Sequence, residues 1–124
     1  ELTAVLDWEI STLGDPMADF AYALNTWAEP GDELVNKENA PTLAEGFLSR
    51  ADLIDRYASQ TGCDLTDLPY YISFNHFKSA CIIHGVYARY MQGQKSTDGV
   101  DLDYYRSRIG IGIELSKQAA DELD

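Results

Sequence analysis

The chain has 124 residues, 45% of them hydrophobic and 24% charged, with 21 acidic against nine basic side chains and a formal net charge of −12. That length and mixture suit a single folded domain over residues 1–124, while the acidic balance repels phosphate backbones and argues against a nucleic-acid partner. No apolar run approaches the ~18 residues of a membrane span, no secretory leader pattern is present, and a cytoplasmic location is expected.

Leu2 to Leu6 is short and apolar and contains Thr3 and Val5, a pattern that predicts one buried β-strand. A lone strand needs a partner for its backbone groups, and no second convincing strand follows. At its end stand Asp7, Trp8 and Glu9. On a continuing strand, Asp7 and Glu9 face the same side, and paired acids at a strand end suit a hard cation such as Mg²⁺.

Asp15-Pro16 is a helix start, because Asp accepts bonds from free amides and Pro is tolerated at the first helical position. The helix is expected from about Pro16 to Ala28, burying Met17, Phe20, Ala21, Leu24 and Trp27. Residues 30–48 mix Pro, Gly and Asn with scattered apolar positions and read as the longest irregular segment.

Ser49-Arg50-Ala51-Asp52 resembles a capping box with Asp in place of Glu, opening a helix that stops at Gly62. A long central helix is expected from Pro69 to about Gln92. Tyr70, Phe74, Phe77, Cys81, His84 and Ala88 recur along it at alternating four- and three-residue spacing. A polar turn leads to a last helix over Leu102 to Leu123. Gly110 and Gly112 inside it each cost about 1 kcal/mol relative to alanine, a cost that close packing of Gly110 against Gly85 or Ala88 would offset. The fold class is therefore mainly α: one short N-terminal strand followed by four helices.

Other chemistry-bearing residues read as structural. His76 and His84 are eight apart, too far for a compact i, i+4 metal pair, and Cys81 with His84 lacks further ligands. Cys63 and Cys81 lack CxxC spacing and read as small buried hydrophobes, with a single disulfide as the alternative. The tyrosines at 70, 71, 87, 90, 104 and 105 read as core and interface. No catalytic residue is assigned.

The run from Val5 through Asp7-Trp8-Glu9 and Leu13-Gly14-Asp15-Pro16-Met17-Ala18-Asp19-Phe20-Ala21 closely resembles a signature of the aminoglycoside phosphotransferase family, which includes choline-kinase-like enzymes. Residues 49–57 and 85–93 are similar to the subgroup of kinase-like domains fused to acyl-CoA dehydrogenases. The resemblance implies the helical C-terminal lobe of a protein-kinase-like fold. It also implies that Asp7 is a Mg²⁺ ligand, with Trp8, Glu9 and Asp19 beside the site and Asp19 bracing the catalytic loop.

The complete parent would use ATP and Mg²⁺ to phosphorylate a small-molecule hydroxyl acceptor. The family's His-Gly-Asp segment, nucleotide-binding Lys and phosphate loop have no counterpart here, and the first residue is Glu rather than Met. The expectation is a lobe fragment, inactive and without bound cofactor as an isolated chain. The alternative is a non-catalytic helical module that self-associates through exposed lobe surface or its edge strand.

Overall fold

A computed structural model describes residues 3–32 and 40–123, apart from the Ile10 side chain. It holds four helices: α1 (Pro16–Thr26), α2 (Arg50–Thr61), α3 (Leu68–Met91) and α4 (Leu102–Ala120). Short 3₁₀ turns lie at Trp8–Ile10, Pro41–Leu43 and Asp121–Leu123. The mainly helical class expected of a kinase-like lobe is what the chain adopts.

The expected strand is not there. Residues 3–6 run without a ladder and are exposed, no strand occurs among the described residues, and Leu2 lies outside them. The reason is the one that makes single strands unstable: a strand's amides and carbonyls need a neighbouring strand, and the described chain supplies none.

Helix α1 follows its sequence signals. The Asp15 side chain accepts from the Met17 amide at 2.9 Å, and Pro16 occupies the first helical position. Met17, Phe20, Ala21 and Leu24 are buried on one face. They meet Leu68, Tyr71 and Ile72 of α3 and Leu53, Ile54 and Tyr57 of α2, with Phe20 stacked on Tyr57 at 3.9 Å. The helix ends two residues before the expected Ala28. There the Ala28 amide leaves the helical ladder and donates to Thr42 Oγ1 at 2.9 Å.

The Ser49 box also forms as read. The Asp52 amide donates to Ser49 Oγ at 3.0 Å, and the hydroxyl donates back to the Asp52 carboxylate at 2.6 Å. Gly62 closes α2 at φ 69°, where a side chain is disfavoured. The irregular stretch between α1 and α2 is anchored at both ends, although its residues 33–39 lie outside the described set. Thr42 Oγ1 donates to the Ala28 carbonyl at 3.0 Å, and Trp27 Nε1 donates to the Leu48 carbonyl at 2.9 Å. Arg50 donates to Glu29 at 2.8 Å and to Asp32 at 2.6 Å.

Helix α3 is central, lying against both α1 and α4, but its buried face is not the expected stripe. Leu68, Asn75 and Ala80 are buried, whereas Tyr70, Phe74, Phe77, Cys81 and His84 are exposed. Helix α4 approaches where side chains are small. A Cβ added to Gly112 would lie 3.1 Å from Ala80 Cβ, and Ser73 Oγ donates to the Ser116 carbonyl at 2.8 Å. Gly112, not Gly110, is the close-packed glycine, since a Cβ on Gly110 would meet nothing within 4 Å. The last helix stops at Ala120, short of Leu123. Both cysteines are free thiols; Cys63 is half-buried and Cys81 exposed, so neither is the buried residue expected.

Candidate functional site

The acidic segment at the start of the chain is built on a turn rather than a strand. Asp7 precedes the 3₁₀ turn Trp8–Ile10 with φ 62° and ψ 32°, the left-handed region. It is the one non-glycine residue at positive φ among those described. Side chains reach this region at an energetic cost, Asp and Asn more readily than most, and such outliers concentrate at functional sites. The Asp7 carboxylate does not cap the turn it precedes and is exposed. The turn is instead closed by Ser11, whose amide and hydroxyl donate to the Trp8 carbonyl at 3.1 and 2.7 Å.

Trp8 and Glu9 are also exposed. A 3₁₀ turn rotates about 120° per residue, so Asp7 and Glu9 do not share a side as the strand reading expected. Asp19 lies exposed in the first turn of α1, where a negative charge complements the free amides of the helix N-terminus. The loop that Asp19 is expected to brace has no counterpart among these residues.

What ties this segment to the helical body is Asp15. Its carboxylate receives the Met17 amide on one oxygen and the Tyr71 hydroxyl, at 2.5 Å, on the other. The Tyr71 hydroxyl, followed by the Met17 amide, holds the Asp15 pKa below its ordinary value. The same bond raises the Tyr71 pKa. The cap was legible in the sequence; Tyr71, 56 residues away, was not.

The exposed Asp7 carboxylate offers the oxygen chemistry that Mg²⁺ takes, as one protein ligand of an ion that usually keeps several waters. Among the described residues, no group of three or more His, Cys, Asp or Glu is gathered to hold a metal ion. Asp7 therefore offers a single exposed carboxylate rather than part of a protein cage of such groups among the described residues.

Of the histidines, His76 is half-buried, and its pKa is lowered first by burial and then by the charge of Arg108. His84 is exposed and lines, with Cys81, an apolar groove between α3 and α4. A second cavity of about 260 Å³ is framed by residues between Ala28 and Ser49, including Thr42, Glu45 and Phe47. None of the tyrosines read as core is buried: Tyr71, Tyr87, Tyr90 and Tyr105 are half-buried, and Tyr70 and Tyr104 are exposed. Arg106 donates to the Tyr87 hydroxyl at 3.1 Å, and the Tyr90 and Tyr105 rings lie 5.6 Å apart.

The sequence profile of the phosphotransferase enzyme family matches residues 1–57, the stretch that contains Asp7, the Asp15 cap and all of α1. The first 57 residues of this chain carry the signature of that phosphotransferase family. Its relatives include the acyl-CoA dehydrogenase family member 11 of Gallus gallus, 37% identical over 122 residues, covering 93% of this chain and 16% of that protein. Acyl-CoA dehydrogenase family member 10 of Mus musculus is 37% identical over 107 residues, covering 78% of this chain and 9% of that protein. The probable acyl-CoA dehydrogenase IBR3 of Arabidopsis thaliana is 34% identical over 98 residues, covering 74% of this chain and 12% of that protein. The phosphotransferase segment therefore spans less than a fifth of the length of these relatives. No solved structure matches the chain significantly. No described helix is long and apolar enough to cross a membrane.

Proposed function

We propose that this chain is the helical C-terminal lobe of a small-molecule kinase that transfers the γ-phosphoryl group of ATP to a hydroxyl acceptor. In this reading Asp7 is the residue of the chain that holds Mg²⁺ against the nucleotide phosphates. The observation that carries it is the left-handed backbone of Asp7, found inside the segment that matches the phosphotransferase family. A turn that strains the backbone to hold one exposed carboxylate has a functional explanation and no evident packing one.

Bound Mg²⁺ would supply neutralisation of the charge that develops on the transferred phosphoryl group. The chain's own contribution is positional. Asp15 caps α1 and bonds to Tyr71, which anchors the far end of the exposed segment that presents Asp7. Phosphoryl transfer rests on such positioning and on electrostatics. One carboxylate cannot provide both alone, so residues 1–124 in isolation are proposed to be inactive and to bind neither ATP nor Mg²⁺ tightly.

The test uses the full-length polypeptide that carries this segment, radiolabelled ATP, Mg²⁺ and a panel of amino alcohols and sugars as hydroxyl acceptors. Asp7→Ala should abolish transfer while leaving the melting temperature unchanged. Undiminished transfer by that variant overturns the assignment of Asp7.

A further inference from the structure

The outer face of α3 carries an apolar seam that nothing in the described chain covers. Tyr70, Phe74, Phe77 and Met91 are about half exposed, and Cys81 and His84 between them are exposed as well. Their alternating spacing of four and three residues is the 3.5-residue repeat that a neighbouring helix follows when it packs nearly parallel to the first. Beside the seam, Phe77, Ala80, Cys81 and His84 of α3 and Ile109 and Ile113 of α4 enclose a groove of about 200 Å³. That is room for one large apolar side chain of an incoming helix.

The area says how much is missing. The accessible surface is 9138 Å², whereas a compact monomer of 13.8 kDa should expose about 6,600 Å². The excess, about 2,500 Å², is roughly three times what one partner contributes to a standard protein–protein interface. Among the described residues, the large apolar side chains left exposed include this seam and Val5, Leu6, Trp8 and Leu13. An excess of this size resembles a domain core cut open rather than a docking patch. A second copy is also a poor occupant, because each copy brings a net charge of −12 and would meet like with like.

We infer that the α3 seam is covered by a helix of the same polypeptide, from outside residues 1–124. The relatives, of which this segment covers 9–16%, have ample chain to supply one. The inference rests on reading the segment as one lobe of a larger kinase-like domain. Its test follows a thiol rather than phosphoryl transfer, so the two can fail separately.

Cys81 lies in the middle of the seam and reports its cover. Full-length protein is treated with a maleimide, native and in urea, and Cys81 is followed by peptide mass. Labelling in the native protein should be about tenfold or more slower than in urea, independently of protein concentration. Phe77→Asp should lower the melting temperature of the full-length protein and speed Cys81 labelling, whereas Leu123→Asp, also on an exposed residue, should change neither. Native labelling as fast as in urea means an open seam and overturns the inference. Protection that disappears on dilution means a second copy covers it and overturns the inference equally.

Discussion

The Tyr71 hydroxyl, on the first turn of α3, donates to the Asp15 carboxylate that caps α1, at 2.5 Å and across 56 residues of sequence. One carboxylate thereby fastens the start of α1 to its own first amides and to the central helix. Because Asp7 lies on the arm that leaves this junction, the bond bears on where the arm begins its path.

A pH dependence follows from that bond. The Asp15 pKa is depressed in the folded chain, first by the Tyr71 hydroxyl and then by the Met17 amide. A depressed carboxylate contributes stability that is present above its unfolded value, here 3.8, and lost as pH falls through the folded value. Tyr71→Phe should move the Asp15 titration up toward 3.8, measured by NMR of the side-chain carboxyl. An unchanged titration would show that the Met17 amide alone sets it.

The two glycines of α4 should respond in opposite ways. A Cβ at Gly110 meets nothing within 4 Å, so Gly110→Ala should stabilise by about 0.5–1 kcal/mol through helix propensity. At Gly112 a Cβ would sit 3.1 Å from Ala80 Cβ and 3.4 Å from the His76 carbonyl, both on a helix that cannot easily give way. Gly112→Leu should therefore destabilise by about 1–3 kcal/mol as α4 is pushed off α3. Urea unfolding of both variants checks the contrast, and equal effects would contradict the packing described.

Asn75 is fully buried, and its Nδ2 donates to the Ala18 carbonyl of α1 at 2.9 Å. Its Oδ1 has no partner among the described residues, so this buried amide is only half satisfied. Asn75→Ala should cost about 1–3 kcal/mol, from the lost bond and the space left between α1 and α3. Asn75→Asp should cost more, since it sets a carboxylate against the Ala18 carbonyl in a site without a cation. Thermal unfolding of the two variants should rank them in that order, and the reverse order would contradict this account.

Local signals in the sequence carried most of the helical architecture. Asp15-Pro16, the Ser49–Asp52 pair and Gly62 mark helix ends by chemistry that acts within four residues, and each does what its type dictates. The apolar face of α1 was equally legible, because only one set of positions repeats at the helical period. The kinase-like family, too, was written in the run from Asp7 to Ala21.

Contacts between distant segments were decided by tertiary structure. Helix α3 is apolar over much of its circumference, so its composition could not say which side turns inward. The small residues Ala80 and Gly112 let α4 approach on one face, and the larger aromatic seam was left outside. The strand drawn from Leu2 to Leu6 failed for a related reason, since a strand exists only with the neighbour that completes its hydrogen bonds. Sequence alone determined where the helices begin, the Gly62 stop of α2 and the family signature of the first segment, because those depend on near neighbours and residue identity, whereas the end of α1 was set by the distant Thr42. Which faces meet and how Tyr71 finds Asp15 were decided by packing between residues far apart in the chain, while the left-handed turn at Asp7 is a local feature, closed by Ser11, that the period-two strand pattern concealed.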